Sequence, residues 1–338
     1  LGPKLKSFVG RNTSNPEAGA VFRCNPEWYK MEIFATGRRK PQELTVDKYG
    51  NLWTGDNNAD AGDPARWVYV VEGGDSGWRV GYQFIERPNA RGPWLAERLC
   101  YPFWDGQAAY IVPPVDIIGN GPSGLAYYPG TGFSEKYNDH FFLVDFRGAA
   151  ANSGVHAFAV KPRGAGFETT DKSQFIWSIL ATDFDFGFDG NAYVSDWVEG
   201  WNMNGKGRIY RVTDPEKAQS AEVAQVKKLF SEGFAQRSER ELAGLLRHAD
   251  MRVRQEAQFA LAERGRRAGC KEAVFSLGDQ PERIFPEARD CLRSQGFDTT
   301  LAYLAAMCEL GLWRTGLLPH ANPGVMGRDD LAALKESN

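Results

Sequence analysis

A repeated hairpin signature constrains this chain more than any other feature. The run Leu-Thr-Val-Asp-Lys-Tyr-Gly-Asn-Leu-Trp-Thr-Gly-Asp at residues 44–56 returns as Phe-Asp-Phe-Gly-Phe-Asp-Gly-Asn-Ala-Tyr-Val-Ser-Asp at residues 184–196. Gly50 of the first copy aligns with Gly190 of the second, 140 residues on. Each copy reads as a strand, a tight Gly-Asn turn, an aromatic-bearing strand and a closing Asp. The glycines supply the positive φ that a tight hairpin needs, and alternating apolar residues pack one face of each strand. A third copy has a longer loop. Leu125-Ala-Tyr-Tyr is followed by Pro129-Gly-Thr-Gly and then by Phe141-Phe-Leu-Val-Asp145.

Further strands follow the copies at residues 67–71, 155–160 and 208–212. A hairpin that recurs with an added outer strand is the unit of a propeller blade. At roughly 45 residues per blade, residues 21–214 hold about four blades. A β-sandwich whose hairpins merely look alike is the alternative. The 21 Phe, 12 Tyr, 10 Trp and 37 Gly favour an all-β architecture with many tight turns. The expected fold class is mainly β: an incomplete β-propeller at residues 1–214, followed by a small α-helical domain.

From Pro215 strand patterns stop, and Ala, Glu, Arg and Leu dominate. Residues 220–231 and 239–248 read as helices, and a third begins after Asp250, a natural N-cap. Val253, Ala257, Ala260 and Leu261 form an i, i+4, i+7, i+8 stripe, which a neighbouring helix pair would bury. The helical domain is placed at residues 215–296. Gly311, Gly316, Pro319, Pro323 and Gly324 suggest an irregular or helical tail at residues 297–338.

These residues resemble a known family. The stripe preceded by Asp250 is similar to the second helix of a HEAT repeat. The run at residues 40–60 looks like the bacterial membrane-bound dehydrogenase family typical of planctomycetes. So do Val71-Glu-Gly-Gly-Asp-Ser-Gly-Trp78, Gly121-Pro-Ser-Gly-Leu-Ala-Tyr-Tyr-Pro129 and Ser195-Asp-Trp-Val-Glu-Gly-Trp201. The resemblance covers residues 21–265. It implies a propeller similar to soluble sugar dehydrogenases that use pyrroloquinoline quinone and calcium, then HEAT repeats, then a c-type cytochrome. It also implies six blades, more than are visible, with the catalytic histidine ahead of Val21. No CxxCH segment occurs, so no haem is expected in this chain. With Leu1 rather than Met at its start, the chain reads as a processed product or the middle of a longer polypeptide.

Candidate site residues come from three places. The loop Asp56-Asn57-Asn58-Ala59-Asp60-Ala61-Gly62-Asp63 offers carboxylate and carbonyl oxygens, the hard ligands calcium takes. The resemblance implies calcium on the carbonyls of Asn58 and Ala59, with Asp56, Asp60 and Asp63 beside them; a solvated Asx-rich turn is the alternative. At Arg38-Arg39-Lys40-Pro41-Gln42, Arg39 and Gln42 match the dehydrogenases' quinone-facing pattern, while Lys40 replaces an Asn. Arginine binds carboxylates bidentately, which suits an anionic quinone; a solvated basic turn is the other reading. Arg147 stands where the resemblance places a cofactor-contacting Lys. An Arg pair expected before a later strand is absent, the chain reading Leu180-Ala-Thr-Asp-Phe there.

Asp196-Trp197-Val198-Glu199-Gly200-Trp201 combines acids with indoles, either a carbohydrate contact or aromatic packing. Of four histidines, His248 belongs to a helix, His140 to a hairpin turn and His156 to a strand start. No catalytic residue is assigned. Gly-x-Ser-x-Gly, phosphate-loop, Rossmann and cysteine-pair metal motifs are absent. A net charge of −3 with mixed signs argues against nucleic acid as a partner. The expected function is part of an extracytoplasmic quinoprotein-type sugar or polyol dehydrogenase. It would pass electrons to a haem c domain or subunit and meet a membrane through a partner chain. The alternative is a non-catalytic propeller and HEAT scaffold, or an accessory subunit of a larger assembly.

Overall fold

The computed structural model describes residues 4–6, 12–14, 18–24, 31–58, 64–79, 111–202, 205–268, 272–276, 281–283, 285–294, 296–315 and 318–322. The chain divides into two compact units. The first is Leu1–Val160 with Phe167–Val223, and the second is Lys161–Gly166 with Ala224–Asn338.

Unit 1 is built from antiparallel sheets. A short pair, β1 (Lys4–Lys6) and β2 (Asn12–Ser14), comes first. Among the described residues, four larger sheets then succeed it in chain order. They are β3 (Gly19–Arg23) with β4 (Glu32–Arg38); β5 (Pro41–Val46), β6 (Leu52–Asp56) and β7 (Arg66–Tyr69); β8 (Pro122–Tyr127), β9 (His140–Asp145), β10 (Gly154–Arg163) and β11 (Gly166–Trp177); and β12 (Ala181–Phe186), β13 (Ala192–Asp196) and β14 (Arg208–Val212). Within each sheet, chain neighbours pair, so every sheet is the simple meander that the repeat predicts.

The repeated turns fold alike by different means. Gly50 and Gly190 take φ of +86° and +76°, as the hairpins require. Asp47 accepts from Asn51 Nδ2 at 2.9 Å and Trp53 Nε1 at 3.1 Å. In the second copy Asp189, two places further along its turn, accepts from Asn191 Nδ2 and the Tyr193 hydroxyl, both at 2.7 Å. In both, a carboxylate in the turn fastens the Asn and the aromatic of the outgoing strand.

Strand β9 shows how the sheets stack. All six of its residues are buried, because its two faces meet two different cores. Phe141 and Leu143 point to one side and join Trp53, Trp67, Leu125 and Phe158. Phe142 and Val144 point to the other and join Phe184, Phe186 and Val194. The period-2 alternation of a strand produces this split. Trp53 stacks on Trp67 at 5.3 Å and Phe142 on Phe184 at 5.0 Å. Burying each such ring contributes about 2–3 kcal/mol.

Unit 2 begins helical, as the sequence predicts. Its helices are α1 (Ala221–Glu232, whose first turn belongs to unit 1), α2 (Glu239–Leu245) and α3 (Met251–Arg267). Val253 and Ala257 are buried with Val226, Leu229, Phe234 and Leu242. Asp250 caps α3 by accepting from the Arg252 amide at 2.9 Å.

Two expectations are corrected here. Strands do not stop at Pro215, because β15 (Glu272–Ser276) pairs in parallel with β16 (Leu318–Asn322). The stretch beyond Gly296 is also more regular than its glycines and prolines suggest. Helix α5 (Thr300–Thr315) comes after α4 (Pro286–Ser294), and both lie between the parallel strands. Parallel neighbours need such a crossover, since no hairpin can join them. Helix α5 packs against β15 and β16. Among the described residues, no helix is long and apolar enough to cross a membrane.

Candidate functional site

Three sheets of unit 1 end their second strand on a buried Asp: Asp56 on β6, Asp145 on β9 and Asp196 on β13. The same register position meets three different chemistries.

Asp56 has no solvent exposure. It accepts from the Arg39 amide at 3.0 Å, the Lys40 amide at 2.9 Å and the Arg66 guanidinium. Its carboxylate therefore fastens the entry to β5, and little capacity is left for a cation. Asn58 donates its amide to the Asn57 side chain at 2.8 Å. Ala59, Asp60 and Asp63 lie outside the described residues. Among the described residues, no three His, Cys, Asp or Glu gather as a metal site.

The basic run splits. Arg38 is wholly buried, contrary to a solvated basic turn, and donates to the Thr36 carbonyl at 2.8 Å. Burial, with neighbouring Arg66, pulls its pKa down to about 10 despite Asp56 and Asp75. Gln42 is exposed on β5, where alternation turns Glu43 inward. Glu43 accepts from the Leu125 amide at 2.7 Å. Burial, then the nearby Asp183 and Asp185, pushes its pKa up to about 7.

Asp145 organises the richest cluster. It is fully buried and accepts from the amides of Asn120 at 2.9 Å and Gly121 at 3.0 Å. Its Oδ2 also meets Arg147 Nε at 2.7 Å and His156 Nε2 at 3.2 Å. Burial raises the Asp145 pKa, but bonds from His156, the two amides and Arg147 outweigh it and leave the pKa below the usual range. An ionised carboxylate only accepts, so the Nε2 of His156 that faces Asp145 is the donor of this bond. The His156 ring packs edge-on against Trp177 at 5.1 Å. Arg147, expected to contact a cofactor, thus falls beside a histidine that the sequence left unassigned. The signal for it was one step of register, since His156 pairs with Leu143 two residues before Asp145. His140, expected in a turn, instead opens β9 and is 5% exposed, held by the Asn138 carbonyl at 2.9 Å and Asp171 at 3.1 Å.

Beside this cluster, Phe146 stacks on Trp197 at 6.0 Å, and Trp197 meets Trp201 at 5.0 Å. This aromatic group connects the ends of β9 and β13.

No family model matches the chain. It is 56% identical over 75 residues to the FO synthase of Mycobacterium leprae, a stretch covering 22% of this chain and 9% of that protein. It is 36% identical over 83 residues to the 7,8-didemethyl-8-hydroxy-5-deazariboflavin synthase of Methanopyrus kandleri, covering 25% of each. The chain therefore spans a small part of these curated relatives. Among solved structures, it is similar to an oxidoreductase (glucose dehydrogenase) of Thermus thermophilus, at 18% identity and a TM-score of 0.37, over 53% of this chain and 46% of that one. The PQQ-bound aldose sugar dehydrogenase of Streptomyces coelicolor gives 16% identity and a TM-score of 0.35, over 55% and 46%. Superpositions this loose do not by themselves establish a fold or an activity.

Proposed function

We propose that unit 1 is a quinoprotein-type sheet array that binds a sugar or polyol and oxidises one of its hydroxyls. The observation that carries this reading is the double use of Asp145, which holds His156 and Arg147 on one oxygen. A histidine oriented by a buried carboxylate is a general base, and its Nδ1 would take the hydroxyl proton. Arg147 is about one-third exposed and has spent Nε on Asp145, so its terminal nitrogens suit an anionic group. That donor set fits a carboxylate of pyrroloquinoline quinone, which when bound supplies the hydride acceptor. The Asp56 carboxylate is already filled by the chain's own donors, and no step is assigned to calcium. Passage of electrons to a haem c partner and an extracytoplasmic setting belong to the same reading, supported by the sequence resemblance.

The test is oxidation of glucose with an artificial electron acceptor after incubation with the quinone. His156→Asn is expected to lower turnover by about a hundredfold in protein that remains folded at the assay temperature. Equal turnover in variant and parent would remove His156 as the base.

A second reading concerns the C-terminal part. We infer that the FO-synthase-like stretch is the segment after Gly265. The dehydrogenase-like motifs end there, and the remaining chain is about as long as the match. It also holds β15 and β16, whose parallel pairing departs from the meanders of unit 1. On this reading the chain joins pieces of two unrelated enzyme types, and the segment alone is too small a share of a synthase to act as one. Alignment of residues 266–338 with the two synthases tests this, and a match lying before Gly265 would overturn it.

A further inference from the structure

The third Asp of the series breaks the pattern of the other two. Asp196 is 8% exposed, and its Oδ1 is buried with no hydrogen-bond partner among the described residues. Asp56 and Asp145 each take two amides from the residues just before their neighbouring strand. The equivalent amide of Ile179 goes instead to the Ser153 carbonyl at 3.4 Å. Asp56 also takes the guanidinium of Arg66, its register partner on β7. Arg208 is the register partner of Asp196 on β14, but it is exposed and donates to the Tyr210 hydroxyl at 3.0 Å. A buried carboxylate oxygen left without a donor costs stability, and such groups call for an explanation.

The surroundings supply one. Trp201 is 69% exposed, an unusual placement for an indole that packs against Trp197 and Phe146. Gly148 keeps the approach open, since a Cβ there would sit 3.0 Å from Trp201 Nε1. The turn between the two tryptophans is held in a left-handed conformation, with φ of 58° at Glu199 and 39° at Gly200.

We propose that Asp196 and Trp201 form a carbohydrate-binding site at the end of β13. A pyranose ring would lie on the exposed indole and donate a hydroxyl to Asp196. Aromatic faces take up the apolar side of a sugar, and a charged acceptor strengthens the hydroxyl bond. That the sugar is the substrate of the Asp145 centre rests on the reading above, but the binding does not.

The experiment is tryptophan fluorescence and calorimetric titration of the full chain with glucose and with cellobiose, without quinone. Saturable binding in the millimolar range is expected for the parent. Trp201→Ala and Asp196→Asn should each weaken it by about tenfold while the melting temperature holds. No binding by the parent, or undiminished binding by Trp201→Ala, overturns the proposal. So does marked loss of stability in Asp196→Asn, because the carboxylate would then be paired within the protein. Binding without glucose oxidation keeps this site and removes the dehydrogenase reading.

Discussion

Nε2 of His156 stands 3.2 Å from Oδ2 of Asp145, the same oxygen that accepts from Arg147 Nε. The carboxylate is inaccessible while both partners reach solvent. Structure and chemistry therefore share one buried charge, and the two roles can be separated by substitution.

Replacing Asp145 by Ala should be among the costliest changes in unit 1. It strands two backbone amides and two side-chain donors, and removing one partner of a buried ionic cluster costs about 3–5 kcal/mol. His156→Asn leaves the carboxylate with its other donors and should cost about 1 kcal/mol. Urea denaturation of the three proteins measures both. Because the Asp145 pKa lies below its ordinary value, its contribution is present above the usual carboxylate range. That contribution is lost as pH falls through the depressed value. Acid titration should therefore unfold the parent along a steeper curve than Asp145→Asn.

Glu43 has the opposite sign. Its pKa rises from an ordinary 4.5 to about 7, chiefly through burial. Between those values the folded protein holds a proton that the unfolded chain has released. Stability from this group is therefore greatest in acid, declines as pH rises through the window, and is flat above it. Glu43→Gln should remove this slope. Melting temperature against pH for both proteins reads it directly, and parallel profiles would exclude Glu43 as the titrating group.

Two glycines test how the sheets meet. A Cβ at Gly124 would lie 2.6 Å from the Asp183 Cα, so β8 and β12 approach as closely as they do because residue 124 has no side chain. Gly124→Ala should cost about 1–3 kcal/mol through forced backbone shifts. At Gly50 the space is open but φ is +86°, so Gly50→Ala should cost about 1–2 kcal/mol by strain alone. Adding a second strain-relieving change elsewhere in the Gly50 turn should rescue Gly50→Ala but not Gly124→Ala, as followed by thermal melting.

The meanders of unit 1 were legible because their signal is local. Gly50, Gly190 and the alternation around Trp53 and Tyr193 are all contained within one hairpin. The first three helices were legible for the same reason, through the cap at Asp250 and the stripe from Val253. The parallel pair β15–β16 was not, because its strands are separated by two helices and pairing across such a gap leaves no periodic trace. At the candidate site, Arg147 was singled out by the resemblance, which places a cofactor-contacting Lys there. His156 was left unassigned because its partner Asp145 lies on another strand, and only register brings them together. Asp56 looked like a cation ligand in a run of acids, and folding gives its lone pairs to the chain's own amides and to Arg66.

The caps of α2 and α3 offer a last test, set within unit 2. Ser238 and Glu241 form a reciprocal capping box, with Ser238 N–H donating to Glu241 at 2.8 Å, at an exposed end. Asp250 is instead wholly buried and holds both the Arg252 amide and the Arg252 guanidinium, the latter at 2.8 Å. Solvent can replace the first set of bonds but not the second. Ser238→Ala should therefore cost about 1 kcal/mol, and Asp250→Ala about 2–3 kcal/mol, since a half-buried charged donor and a helix amide both lose their acceptor. Hydrogen exchange along residues 251–267 distinguishes the two. Protection across α3 should drop for Asp250→Ala and stay near the parent level for Ser238→Ala. Equal losses would mean that the buried cap has no more effect than the exposed one.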